Sequence, residues 1–116
     1  MAFNLQKALK EIADGEERVL FNSGKVSLDD VRQLASAVAS SATLTQLNLL
    51  SCGIGAQEVV VIADALRSNT VLTEVALWGN KQIGPAGALA LAEMLKVNTT
   101  LRSLQLSCCD VGDEGV

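Results

Sequence analysis

The amino-acid sequence predicts an α/β solenoid: a right-handed β-α superhelix with a parallel sheet on its concave face and helices on its convex face. Three features predict it. The chain repeats itself, each repeat changes its hydrophobic period halfway along, and turn or capping residues mark the changes. The repeat shows first in Leu44, Leu47 and Leu49, spaced LxxLxL. The pattern returns at Leu72, Val75 and Leu77 and again at Leu101, Leu104 and Leu106, in steps of 28 and 29 residues. A step of 28 back from Leu44 reaches Glu16, with Val19 and Phe21 in the next apolar slots. The units are therefore 16–43, 44–71, 72–100 and a short 101–116, preceded by a non-repeating 1–15.

The elements follow in order. In residues 1–15, Leu5, Ala8, Leu9 and Ile12 form one apolar stripe and Gly15 supplies a stop. This predicts a helix near 4–14 that caps the open core of the first repeat. Val19/Phe21, Leu47/Leu49, Val75/Leu77 and Leu104/Leu106 alternate with period two, which predicts strands near 18–21, 46–49, 74–77 and 103–106. The second half of each unit then takes helical spacing. Val31, Leu34, Ala35 and Val38 define a helix near 28–40, and Ser27 with Asp30 has capping-box spacing at its start. Val59, Ile62, Ala63 and Leu66 define one near 56–68. Ala88, Leu91, Ala92 and Leu95 define one near 85–97, with Pro85 at its first turn. The loops keep register too. Gly24, Cys52, Asn80 and Cys109 share one column, and Val26, Ile54, Ile83 and Val111 share another, with one extra residue between Asn80 and Ile83.

The segments LTQLNLLSCGIG, LTEVALWGNKQIG and LRSLQLSCCDVG, with a helical half of the form ALALAEMLKVNTTL, resemble the leucine-rich repeat superfamily in its ribonuclease-inhibitor-like subclass. The resemblance covers 16–116. The first repeat departs from it, with Glu16 where a leucine belongs and Gly24 in the Cys/Asn column. What the resemblance implies is a non-catalytic scaffold that holds a protein partner on its curved sheet. The segment LALAEMLKVNTTLRSL is also similar to repeats of tropomodulin-like actin-capping proteins and of Ran GTPase-activating proteins. An alternative is therefore a fragment of a GTPase regulator or of an actin-capping protein, or a structural capping segment of a longer solenoid.

Composition narrows the function further. Nine basic residues against 13 acidic ones give a net charge of −4, the wrong balance for generic binding to nucleic acid or to an anionic membrane. There is no histidine, which removes the commonest general base, the commonest zinc ligand and every Ser/Cys–His dyad. Mean hydropathy is high at +0.33. Yet the longest uncharged stretch, Gln33 to Gln57, is interrupted by Ser36, Ser40, Ser41, Thr43, Thr45, Gln46 and Asn48, so it does not read as a membrane span. The N-terminus carries charges where a signal peptide needs an apolar core. Cys52, Cys108 and Cys109 are an odd set and read as free thiols in a reducing compartment, so the expected location is cytoplasmic. No cofactor and no metal is expected. A zinc site from Cys108, Cys109, Asp110 and Asp113 lacks both CxxC spacing and histidine. Asn98-Thr99-Thr100 matches the glycosylation sequon but reads as a helix-to-strand turn, and the pairs Asp29/Asp30 and Asp113/Glu114 read as helix starts.

In a parallel strand–helix solenoid the residues between the inward leucines face the concave surface. The register gives the rows Arg18, Gln46, Glu74, Ser103, then Leu20, Asn48, Ala76, Gln105, then Asn22, Leu50, Trp78, Ser107, then Ser23, Ser51, Gly79, Cys108. Trp78 is the only tryptophan of the chain and lies beside Leu50, and tryptophan is the side chain most enriched at interface hot spots. The expected partner-binding residues are Trp78, Leu50, Asn48, Glu74, Gln46 and Gln105. The sequence stops at GDEGV, where earlier repeats begin a helix. This reads as a fragment, a truncated product or an edge covered by another molecule. It also leads to an expected homodimer through the uncapped C-terminal end.

Overall fold

The computed structural model describes residues 2–106 and 109. The chain runs α1 (Leu5–Ala13), β1 (Arg18–Phe21), α2 (Leu28–Ser40), β2 (Gln46–Leu49), α3 (Ala56–Leu66), β3 (Glu74–Ala76), α4 (Gly84–Leu95) and β4 (Ser103–Gln105). All four strands pair in parallel in the order β1-β2-β3-β4. The pairing keeps the 28, 28, 29 register of the sequence: Val19 opposes Leu47, Leu47 opposes Val75, and Val75 opposes Leu104. The extra residue of the third repeat is taken up by a short 3-10 turn, Lys81–Ile83, that delivers the chain to α4.

Side-chain hydrogen bonds start α1, α2 and α3 where the chain turns out of a loop, whereas α4 has no such bond and carries Pro85 in its first turn. Asn4 Oδ1 accepts from the Lys7 N–H at 3.0 Å at the head of α1. In α2 the capping box closes both ways: Ser27 Oγ accepts from the Asp30 N–H at 3.1 Å, and Asp30 Oδ2 accepts from the Ser27 N–H at 3.2 Å. Before α3, Glu58 Oε1 accepts from the Gly55 N–H at 2.7 Å. Successive helices pack on one another, and α1 packs on α2 and β1. The core lies between this helix layer and the sheet. Val19, Phe21, Leu47, Leu49, Val75 and Leu77 enter it from the strands, and Val31, Leu34, Val59, Ile62, Leu66 and Leu91 enter it from the helices.

Two ladders of side chains tie each repeat to the one before it. Asn80 Oδ1 accepts from the Cys52 and Ile54 N–H groups at 2.8 and 3.1 Å, while its Nδ2 donates to the Leu49 and Leu77 carbonyls at 2.7 and 2.8 Å. Cys52 stands in the same column, and its thiol donates to the Ser23 and Leu50 carbonyls. In the first repeat Gly24 has no side chain to contribute. There the backbone of Phe3 donates to Ser23 O at 2.8 Å and lies where a Cβ on Gly24 would collide. The second ladder lies at the helix ends. Ser41 Oγ, Asn69 Oδ1 and Asn98 Oδ1 each accept two backbone N–H groups of the turn into the next strand, the second being that of Leu44, Leu72 or Leu101. Asn69 and Asn98 then donate back to the carbonyls of Val38 and Leu66. Asn98, the sequon residue, is a buried structural group of this turn.

One expected helix face departs from the pattern. Ala88 and Leu91 of α4 are buried as expected, but Ala92 is exposed and Leu95 is 45 % exposed. At the equivalent of Leu95, Val38 and Leu66 are 2 % and 0 % exposed. The difference is one of neighbours. α3 covers that side of α2 and α4 covers that side of α3, whereas among the described residues no helix packs beyond α4. The expectations that fall on Ser107, Cys108, Asp110, Val111, Asp113 and Glu114, including the zinc alternative and the fourth repeat's loop, lie outside the described residues.

Candidate functional site

Side chains alternate along a strand, so burying Val19, Leu47, Val75 and Leu104 toward the helices turns their neighbours onto the opposite face of the sheet. The pairing brings Arg18, Gln46, Glu74 and Ser103 into one row and Leu20, Asn48, Ala76 and Gln105 into the next. Of the six residues expected to meet a partner, Gln46, Asn48, Leu50 and Glu74 are half-buried, Gln105 is exposed and Trp78 is 46 % exposed. The pairing aligns Gln46 with Glu74, and Asn48 with Ala76 and Gln105, while Leu50 and Trp78 follow two residues beyond the Asn48–Ala76 pair.

One member of the rows is not available at the surface. Ala76 is only 5 % exposed, because its single methyl sits on the sheet between the longer Asn48 and Gln105. Another row member is more open than its neighbours. Leu20 is 50 % exposed on the edge strand β1, in register with Asn48, and belongs with Leu50 and Trp78 as an apolar group of this face. Its outward phase in β1 was the signal for it. The rows carry one basic and one acidic residue, Arg18 and Glu74, separated by the uncharged Gln46. The face is therefore nearly neutral and rich in amides that can both donate and accept, with Leu20 exposed on it and with the half-buried Leu50 and the exposed Trp78 in the turns that follow β2 and β3.

The loops under the face are fixed from below. The Leu50 N–H donates to Phe21 O and the Ser51 N–H donates to Trp78 O, both at 2.8 Å, so the Leu50–Ser51 turn is held between the neighbouring repeats. Cys52 and Asn80 lie buried beneath, and Cys109 Sγ donates to Leu77 O at 3.0 Å. Burial pushes the Cys52 thiol up to about 11, so it stays protonated and unreactive at neutral pH. Among the described residues no three His, Cys, Asp or Glu side chains gather to hold a metal ion. An open groove between the C-terminal ends of α1 and α2 is lined by Leu9, Ile12, Ala37, Thr43 and other small residues, none of them titratable. No helix among the described residues is long and apolar enough to cross a membrane.

The Leucine Rich repeat family model matches residues 68–92 and 97–116. Mouse ribonuclease inhibitor is 36 % identical over 113 residues, which is 96 % of this chain and 24 % of that protein. The chain thus spans about a quarter of the length of that relative. Among solved structures, the one titled Leiomodin-1 Actin-Binding Site 2 superposes with a TM-score of 0.79 at 17 % identity, covering 90 % of this chain and 62 % of the other. The tropomodulin C-terminal domain of Caenorhabditis elegans superposes with a TM-score of 0.60 at 13 % identity, covering 97 % and 87 %. At such identities the structural likeness carries the fold alone.

Proposed function

We propose that this chain, which belongs to the leucine-rich repeat superfamily in its ribonuclease-inhibitor-like form, is a non-catalytic scaffold that holds a protein partner on the open face of its sheet. The observation that carries this reading is Trp78, the chain's only tryptophan, 46 % exposed near Leu50 at a face of mostly uncharged polar side chains. An exposed tryptophan next to a half-buried aliphatic group offers apolar surface that a partner can cover. Trp78, Leu50 and Leu20 would supply the apolar contact, while Gln46, Asn48, Glu74 and Gln105 would set orientation through hydrogen bonds. The reading includes residues 1–15 as an N-terminal cap, units of 16–43, 44–71, 72–100 and 101–116, and a cytoplasmic setting in which the thiols stay reduced. It includes no cofactor, metal, nucleic acid or membrane.

The relative's own name supplies the first probe, a ribonuclease, with binding read by isothermal titration calorimetry. Binding should weaken by about ten-fold or more in Trp78→Ala, the size of a hot-spot loss, with no change in the unfolding midpoint. Ribonuclease binding indifferent to Trp78→Ala and to Leu50→Asp would overturn the sheet-face reading. The alternative, a fragment of an actin-capping protein or GTPase regulator, rests on scaffold residues. Our reading expects no co-sedimentation with filamentous actin and no stimulation of GTP hydrolysis. For the homodimer, the supporting observation is Leu95 at 45 % exposure where Leu66 is at 0 %. Covering the exposed remainder of Leu95 is worth about 1 kcal/mol, roughly half the value for a fully exposed leucine. Light scattering should show dimers that Leu95→Asp and Leu106→Asp dissociate, and a monomer at high micromolar concentration would rule the dimer out.

A further inference from the structure

Among the described residues Ser51 is the only non-glycine with a positive φ, at 52°. The equivalent position one repeat later is Gly79, at φ 80°. The turn after the strand therefore asks for a left-handed residue in both repeats, and glycine adopts that conformation without strain. Serine does so at a cost, and strained residues persist where the surrounding structure over-determines them, often at functional sites.

No hydrogen bond within the described residues explains the hydroxyl, and Ser51 is exposed. What the side chain does is fill space. A Cβ on Gly79 would collide with Ser51 Oγ and lie 3.5 Å from Ser51 Cβ. The serine thus occupies the volume that the glycine leaves empty. Its backbone N–H donates to Trp78 O at 2.8 Å. On the flanks, Asn80 Nδ2 holds the Leu77 carbonyl, and Asn80 itself is buried. Trp78 and Gly79 are therefore pinned before, after and alongside.

We infer that Ser51 is a positioning residue of the interaction face: its strained turn acts as a backstop for the Trp78–Gly79 turn and presents the indole already ordered. The inference rests on the reading of Trp78 as the partner's anchor. An anchor ordered in advance avoids the entropy that binding would otherwise spend on ordering it. Glycine at position 51 would keep the N–H but lose both the hydroxyl and the restriction on the backbone.

The test uses time-resolved fluorescence anisotropy of the intact chain, whose single tryptophan is Trp78. Ser51→Gly should leave the denaturant midpoint unchanged or raise it, because strain is relieved, yet Trp78 should gain a sub-nanosecond depolarisation that the wild type lacks. A purely structural residue would move both readouts in the same direction. Gly79→Ala should lower the midpoint more in the wild-type background than in Ser51→Gly, where the colliding oxygen is gone. Unchanged Trp78 depolarisation in Ser51→Gly, a lowered midpoint, or equal effects of Gly79→Ala in both backgrounds would each overturn the inference. No partner takes part in these measurements. Failure of Trp78→Ala to weaken binding would therefore sink the interaction reading and leave this result standing, and the reverse also holds.

Discussion

Replacing Asn80 by alanine tests how the stack of repeats is held. The Asn80 side chain is 1 % exposed and makes four hydrogen bonds, two accepted and two donated. Alanine removes all four. The Leu77 carbonyl still receives the Cys109 thiol at 3.0 Å, so the loss falls on the Leu49 carbonyl and, chiefly, on the donors left behind. Those are the N–H groups of Cys52 and Ile54, both on residues with 0 % exposure. A buried donor left unsatisfied costs about 1–3 kcal/mol, so the two together should cost about 2–6 kcal/mol. Against a domain stability of roughly 5–15 kcal/mol this is a large fraction. Urea unfolding followed by circular dichroism measures it, with Asn48→Ala as the control. Asn48 is half-buried on the open sheet face, and its replacement should stay within about 0.5 kcal/mol. A loss below about 1 kcal/mol for Asn80→Ala, or equal losses for the two asparagines, would refute the assignment of Asn80 as a bridge between repeats.

Gly87→Ala should destabilise the chain although alanine is the better helix former. The new Cβ would lie 2.6 Å from Ile83 Cγ2 and 3.5 Å from Ala56 Cα, and Ile83 is fully buried. The expected net cost in urea unfolding is about 1–2 kcal/mol, and a gain in stability would show that the contact relaxes freely. The Cys52 thiol, raised by burial from 9.0 to about 11, favours the fold while protonated. Its contribution is complete below about pH 9 and is lost as pH rises toward 11. Iodoacetamide at pH 8, read by peptide mapping, should label Cys52 only when urea opens the fold, and labelling of the native chain at the rate of an exposed thiol would contradict its burial.

The architecture was legible because each repeat states its period twice, once in the strand leucines and once in the helix. Four strands and four helices fall within about two residues of where the spacing puts them, and the 3-10 turn absorbs the one extra residue seen after Asn80. The helix-end ladder was harder to see. Asn69 and Asn98 stand 29 residues apart, which was a signal, but the first repeat fills that place with Ser41, so composition alone hides the column. Ala76 and Leu20 show the limit of a row. Alternation places both on the sheet face, but exposure depends on the size of the neighbours and on lying at an edge. Ser51 lay beyond reach, because nothing in a single serine announces a left-handed backbone. Ala92 and Leu95 follow the periodicity of the earlier helices, and only the absence of a packing neighbour among the described residues leaves them open.

The central claim is that the sheet face, and not the helix layer, meets the partner. Site-specific photo-crosslinking tests it most directly. A benzophenone side chain is placed at Asn48 or Gln105 on the sheet and at Gln57 or Ser36 on exposed helix positions, and each protein is irradiated in cell extract. The account predicts a discrete protein adduct from the sheet positions alone, lost when Trp78→Ala is introduced in the same chain. Adducts that arise from the helix positions, or that survive Trp78→Ala undiminished, would contradict it.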